Sequence, residues 1–328
     1  VGRATGWLTA AMSQDFDKLF GGQLKEIAVM APRVSATLPR MASPSELKLM
    51  SWNLLAPPYN RRLGTHETDA AWQARSAQQI AHAAASDADV IGLQEFWVEN
   101  DRYMDMWSDM ARSEGYTMHV VPRTHGKRDG CAFLVRLPSE ACTFSAFSYE
   151  DWGSRILQVA TLDLDGRKIT LMQTHLTFPH ESAHDPPMRL HQGRKLAELT
   201  RTYSEPLCVF GDLNGDVDDE AVKVLTSLGG LHAPPPPEES LGEAADAWVS
   251  HVAHTGDLMA CDLVLTRGDC RVRDWRLSGT KHELLASRLS SDHRAVHATL
   301  VIGTEMTTVF GAEGAVGASS DEDDLTMH

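Results

Sequence analysis

The sequence is short of positive charge: Lys and Arg total 30 against 45 Asp and Glu, a formal net charge of −15. Such a polyanion repels nucleic acid and anionic lipid unless basic residues are concentrated locally, so general adhesion to either is excluded and a basic groove has to be a local feature. Glu313, Asp321, Glu322, Asp323 and Asp324 are among the acids of residues 304–328, which read as a solvated, disordered tail. No run approaches the roughly 18 to 20 apolar residues of a membrane helix, and no segment has the basic start, apolar centre and small-residue cleavage site of a secretory signal. The expectation is a chain with no membrane anchor. The five cysteines (Cys131, Cys142, Cys208, Cys261, Cys270) are odd in number and widely spaced, which argues against a disulfide framework and for reduced thiols packed in a core. No zinc cage is proposed from their spacing, and no internal repeat is found. These absences describe an intracellular, cytoplasmic, monomeric protein. Residues Ile27 to Ser45 lack acids and hold Arg33, Arg40, Ser35 and Ser43, so an organelle transit peptide for chloroplast or mitochondrion is the alternative.

What is present is an alternation of strand-like and helical patterns. Residues 1–45 read as an N-terminal segment, with a short amphipathic helix from Thr5 to Phe20 that Gly21-Gly22 stops, followed by a linker. Ordered periodicity then runs through one large domain over 46–303. Strands are expected at Leu47 to Trp52, Asp89 to Leu93, Cys131 to Arg136, Leu157 to Leu164, Ile169 to Thr174, Leu207 to Phe210, Cys261 to Leu265, Val272 to Leu277 and Ala295 to Ile302. Helices are expected at Ala70 to Ala85, Arg102 to Arg112, Met188 to Tyr203 and Asp218 to Leu228. Asp165-Gly166 supplies the positive φ angles of a tight turn and predicts a hairpin between its flanking strands.

Four of the apolar runs stop abruptly at an acid, amide or histidine: LKLMSWN, DVIGLQE, ITLMQTH and LCVFGDLN. One such ending means little. Four of them, with Asp262 beside another run and Asp292-His293 before the last, describe a site gathered at one rim of a sheet from distant parts of the sequence. Hard oxygen ligands such as Glu95 and Asp292 suit Mg²⁺, which takes carboxylates, waters and phosphate oxygens. The set can also supply charge neutralisation, an activated water and help for a leaving oxygen, which are the requirements of phosphoester hydrolysis.

The pairs Trp52-Asn53, Gln94-Glu95, Thr174-His175-Leu176, Gly211-Asp212-Leu213-Asn214, Asp262 and Ser291-Asp292-His293 resemble, in order, the motif series of the endonuclease/exonuclease/phosphatase superfamily, over Leu47 to Ile302. Asp129-Gly130-Cys131-Ala132-Phe133 resembles a strand of the nocturnin-like and other poly(A)-deadenylase relatives. LQEFWVEN, THLTFPHES and AWVSHVAHTGDL are most similar to a plant and algal branch described as calcium-binding. The resemblance implies an α/β fold, a four-layer α/β/β/α sandwich of two mixed sheets with outer helices. It also implies roles. Glu95 holds a Mg²⁺ (Mn²⁺ as substitute), with Asn53 and Asp292 near its coordination shell. Asp212 orients or deprotonates the attacking water, Asn214 positions Asp212 or the phosphate, and His175 bonds the phosphate. His293, oriented by Asp262, stabilises the charged transition state. Whether Asp212 or His293 is the base stays open.

Plainer readings compete. GDLNGDVDDE alternates like calcium ligands, but no start gives Gly at position six and Glu at position twelve, and the chain has no DxDxDG loop, so calcium is not supported. His251 and His254 border the substrate in the implied fold and are candidate substrate contacts with Asn53 and Arg189. His180, His184 and His191 are expected to be solvated. Arg194, Arg123, Lys127 and Arg128 are solvated charge or phosphate contacts. The expected function is a Mg²⁺-dependent phosphodiesterase acting on RNA 3′ ends, deadenylase-like, with an RNA or nucleotide phosphate substrate. A nucleotide or inositol phosphatase, a membrane-lipid phosphodiesterase and a catalytically silent binding module are the alternatives.

Overall fold

The computed structural model describes residues 24–31, 33, 45–60, 67–182, 184–235 and 248–303. The expected N-terminal helix and the acidic tail lie outside these residues.

Among the described residues, two six-stranded mixed sheets carry the fold. The strands are β1 (Lys25–Ile27), β2 (Glu46–Asn53), β3 (Val90–Trp97), β4 (Thr117–Pro122), β5 (Asp129–Val135), β6 (Cys142–Ser148), β7 (Ile156–Leu164), β8 (Arg167–His175), β9 (Leu207–Asp212), β10 (His251–Val252), β11 (Leu258–Met259), β12 (Asp262–Arg267), β13 (Cys270–Leu277) and β14 (Val296–Ile302). The helices are α1 (Asp69–Ala85), α2 (Asp101–Ser113), α3 (Asp185–Thr200), α4 (Glu220–Ser227) and α5 (Lys281–Leu285). The first sheet has the order β1-β6-β7-β8-β9-β12 and the second β13-β14-β2-β3-β5-β4, while β10 and β11 form a separate ribbon. Within the two sheets only β2 with β3 and β8 with β9 run parallel. Each of these pairs is joined across a helix, as parallel neighbours require. Asp165-Gly166 makes the expected hairpin, Asp165 with φ 56° and Gly166 with φ 87°.

The sheets pack face to face because β2, β5, β7, β8, β9 and β14 each turn an apolar row inward. Leu47, Leu49, Phe133, Leu162, Leu171, Phe210, Val264 and Leu300 fill the space between them. The outer faces are buried under helices. Trp72, Tyr103 and Trp107 of α1 and α2 pack on the second sheet, and Leu196, Ala197, Val222 and Leu225 of α3 and α4 pack on the first. The four-layer sandwich is therefore present. At Gly92 the sheets approach so closely that a Cβ would collide with the Phe210 ring, so only glycine fits there. Beneath the rim, Gln94 donates to Gln173 (3.1 Å), Gln173 to Gln158 (2.7 Å) and Gln158 to the His119 carbonyl (2.9 Å), a polar chain that ties the sheets together and leaves the Gln94 Oε1 without a partner.

The structure adds what periodicity missed. β4 and β6 were not expected, and Lys25–Ile27, placed in the linker, pairs with β6 as an edge strand. α3 starts earlier than expected, because Pro186 and Pro187 fit the first turn, where no amide N–H needs an intrahelical partner. All five cysteines are free and only Cys142 is partly exposed. No described helix is long and apolar enough to cross a membrane.

Candidate active site

The site forms where strands of both sheets end together. Parallel register sets His175 beside Asp212, and antiparallel register sets Asp262 on the other side of Asp212. From the second sheet, the ends of β2 and β3 bring Asn53 and Glu95, and the turn before β14 brings Asp292 and His293. Helix α1 fixes the two loops involved: Arg75 and Gln79 both donate to the carbonyls of Leu54 and Ser290. The Trp52 indole N–H binds the His293 carbonyl at 3.0 Å, and the Ser291 hydroxyl binds the Asn53 carbonyl at 2.6 Å.

Asp212 is the hub. Its Oδ2 accepts from Asn53 Nδ2 at 2.9 Å and lies 3.3 Å from His175 Nε2 and 3.6 Å from His293 Nε2. Its Oδ1 accepts from the Asn214 amide at 3.0 Å, and Asn214 Nδ2 donates to the Leu176 carbonyl at 2.8 Å. Asn214 sits at φ 51°, a left-handed conformation that Asn tolerates better than most residues. His293 Nδ1 is 2.8 Å from Asp262 Oδ2. Burial alone would discharge this pair. The charges of Asp262 and Asp212 win, so His293 is raised to about 10 and Asp262 stays below the usual carboxylate range. His175 goes the other way: burial, then the positive Arg155 and Arg123, hold it well below its ordinary value and so neutral.

Glu95 occupies a bulge in β3 at φ 51°, which turns its carboxylate toward the loop after β2, where the Ala56 amide donates to Oε2 at 3.0 Å. Burial, with the nearby charges of Asp129 and Asp292, pushes its acid up to about 7. Within reach of the charges of Glu95 and Asp129 is Arg155, whose buried Nε and Nη1 have no hydrogen-bond partner. Burial and the neighbouring Arg123 lower its guanidinium to about 10. Arg123 is itself anchored by Asp129 (3.0 and 3.2 Å), which also accepts from Tyr59 at 2.7 Å.

These groups line a cavity of about 810 Å³. Of the residues named from the sequence, Asn53, Glu95, His175, Asp212, Asn214, His251, His254, Asp292 and His293 line it, and Asp262 stands directly behind His293. His251 stacks on His293, ring centroids 3.8 Å apart. His254 is at the mouth, in a ring cluster with Phe178 (5.2 Å) and His180 (5.6 Å). His180 is exposed, as expected, and also lines the cavity. Arg189 does not join it. Buried, with both terminal nitrogens bonded to the Asp219 carboxylate, it secures the start of α4 behind Gly215 and stands outside the residues that line the cavity. Sequence reasoning missed Arg155, Tyr59 and Phe178. The only signal was an arginine at the start of a strand facing Arg123, which patterning cannot distinguish from a surface cation.

The sequence profile of the Endonuclease/Exonuclease/phosphatase family matches residues 50–293. An uncharacterized calcium-binding protein of Arabidopsis thaliana is 28% identical over 271 residues, covering 75% of this chain and 55% of that protein, so the chain spans about half the length of this relative. Among solved structures, the human Nocturnin catalytic domain with bound sulfate aligns at TM-score 0.59 and 18% identity, covering 80% of this chain and 97% of that one. Danio rerio (D. rerio) TDP2 with a single-strand DNA product aligns at 0.57 and 19%, covering 78% and 99%. ANGEL2, a 2′,3′-cyclic phosphatase, in complex with adenosine-2′,3′-vanadate aligns at 0.62 and 16%, covering 79% and 96%. At these identities the solved structures speak to the fold. The profile match takes in every strand end that feeds the cavity, and the chain belongs to the endonuclease/exonuclease/phosphatase family of metal-dependent hydrolases acting on phosphoric ester bonds.

Proposed function

We propose that the chain is a Mg²⁺-dependent phosphodiesterase that acts on RNA 3′ ends as an exoribonuclease. The observation that carries this reading is that Asp212, the acids Glu95 and Asp292 and the unpartnered guanidinium of Arg155 line one cavity. Glu95, Asn53 and Asp292 would hold the ion. Their donors are all oxygen, and Glu95 is a buried carboxyl with the charges of Asp129 and Asp292 close by, an environment in which a hard divalent cation would compensate the carboxylate. Mg²⁺ bound there supplies Lewis-acid neutralisation of phosphate oxygens.

The chain's own groups do the rest. Arg155 offers its free N–H groups to the phosphate, and neutral His175 lies beside it. Asp212, fixed by Asn53 and by the Asn214 amide, takes the proton of the attacking water. His293 is held protonated between Asp262 and Asp212, which suits it to donate to the charge that develops on phosphorus-bound oxygen and not to serve as base.

One feature favours a nucleotide chain over an inositol phosphate: Phe178, His180 and His254 offer ring faces at the mouth, where a base can stack. Arg123, Lys127 and Arg155 also line the cavity and suit a phosphate of either kind. Two fold neighbours were captured with a single-strand DNA product and an adenosine derivative, which supports the same class.

The test is hydrolysis of poly(A) RNA, mixed-sequence RNA, abasic DNA, NADPH and inositol phosphates with Mg²⁺, beside Glu95→Ala, Asp212→Ala and EDTA controls. RNA shortened from the 3′ end and lost in all three controls is the expected result. Inositol phosphate as the preferred substrate would overturn the RNA reading, and silence across the panel would overturn hydrolysis itself.

A further inference from the structure

The rim holds a thiol that the reaction above does not use. Cys261 immediately precedes β12, fully buried, its amide bonded to the Ser250 hydroxyl and its carbonyl accepting from the Leu213 amide. Its Sγ, one nitrogen of His293 and one carboxylate oxygen of Asp212 all lie within 4.8 Å of one another. A buried cysteine alone is a packing residue. Here it faces two further ligand types already set in position.

The second observation concerns His293. Its Nδ1 is occupied by Asp262 at 2.8 Å, which leaves Nε2 as the ligand atom, 3.6 Å from Asp212 Oδ2. A carboxylate bound to the far nitrogen is how metal-ligating histidines are commonly oriented. Adjacent ligands of a tetrahedral zinc ion stand about 3.3 to 3.8 Å apart, given Zn–N and Zn–O near 2.0 to 2.2 Å and Zn–S near 2.3 Å. The His293–Asp212 separation already falls in that range, and the Cys261 Sγ, which donates to Asp262 Oδ2 at 3.8 Å, lies within 4.8 Å of a ligand atom of each. Sulfur, imidazole and carboxylate form a borderline-soft set that favours Zn²⁺, whereas Glu95, Asn53 and Asp292 present only the oxygens that Mg²⁺ takes.

We propose that Cys261, His293 and Asp212 form a second metal site, selective for Zn²⁺ and inhibitory. Binding displaces the Cys261 thiol proton and the Nε2 proton of His293 to solvent, and the fourth position is left for water. The ion takes two residues that hydrolysis needs, so zinc and turnover exclude each other. The inhibitory half of the inference rests on the reading in the preceding subsection. The site itself does not.

The test uses the intact chain in excess Mg²⁺, so that oxygen-only sites are filled. Zn²⁺ binding is followed by calorimetry, and Co²⁺ replaces Zn²⁺ to report sulfur ligation through its thiolate charge-transfer absorption in the near ultraviolet. Wild type is expected to bind one Zn²⁺ and show the cobalt band. Cys261→Ala is expected to lose the band and weaken zinc affinity at least tenfold, with Mg²⁺-supported hydrolysis retained and its inhibition by Zn²⁺ shifted to at least tenfold higher concentration. Cys261→Val serves if the alanine variant does not fold. Equal zinc affinity in wild type and a folded Cys261 variant, or no cobalt band in wild type, would overturn the site. Zinc bound through Cys261 while hydrolysis continues would overturn inhibition. If no substrate is turned over at all, calorimetry and the cobalt spectrum still decide the site.

Discussion

Asn53 Nδ2 donates to Asp212 Oδ2 at 2.9 Å across 159 residues of sequence, from the end of a strand in one sheet to the end of a strand in the other. The bond lies at the seam of the sandwich. It leaves the Asp212 carboxylate one fixed orientation, and the Asn53 Oδ1 is in turn held by the Leu55 amide at 3.0 Å.

Asn53→Ala is therefore expected to lower kcat about 10- to 100-fold through misorientation of Asp212, whereas Asp212→Asn removes the proton acceptor and costs about 10²- to 10⁴-fold. Steady-state kinetics on the preferred substrate separates the two, and circular dichroism checks that both variants keep the fold. Equal losses would mean that the contact of Asn53 with the ion outweighs its positioning of Asp212.

Asp262→Asn keeps the shape behind His293 and removes the charge. His293 then loses the largest influence that raises it, so its acid falls below about 10 toward the ordinary histidine range. The variant is expected to be most active at low pH and to lose activity as pH rises through that new value. Activity as a function of pH, compared with wild type, reads this directly. An unchanged profile would deny His293 its role as a cation.

Arg155 is a site residue whose removal should help the fold. Its buried Nε and Nη1 have no partner, which costs stability in the absence of a phosphate. Arg155→Met is expected to raise or preserve the melting temperature while raising KM or lowering kcat by about 10- to 100-fold, the trade between stability and function common at active sites. Inorganic phosphate should stabilise wild type more than the variant. A large drop in melting temperature would show that the guanidinium is a structural group.

Away from the cavity, His297 Nε2 shares the Ser278 hydroxyl (2.7 Å) with His82 Nε2 (2.8 Å). Burial first, then Arg276 and His82, depress His297 to about 3. A histidine with its folded value below its unfolded value is stable in the fold while neutral. Its contribution is complete above about pH 6.5 and is lost as pH falls from there toward 3. His297→Gln is expected to flatten the fall in stability between pH 6.5 and 5, which in wild type amounts to about 1 to 2 kcal/mol from this group. Urea unfolding at the two pH values measures it.

The sequence by itself determined the chemistry and its order. An apolar run that ends in Asn53, Glu95, His175 or Asp212 is visible because strands that are buried along their length admit polar residues mainly where they leave the sheet. The hairpin at Asp165-Gly166 and the helices α1 and α2 were legible for similarly local reasons, a positive-φ turn and 3.6-residue periodicity. β6 was not: as the strand next to the edge it alternates weakly, and most of its residues are only half buried. Only the tertiary structure decided which charged side chains face the cavity. Arg155 and Arg189 look alike in sequence, yet one opens into the cavity without a partner and the other is tied to Asp219. Likewise Cys261 is an ordinary core cysteine until the register of β12 on β9 sets it beside Asp212 and His293. Periodicity fixes which face of an element a side chain occupies, whereas what it meets there depends on how two sheets close on each other.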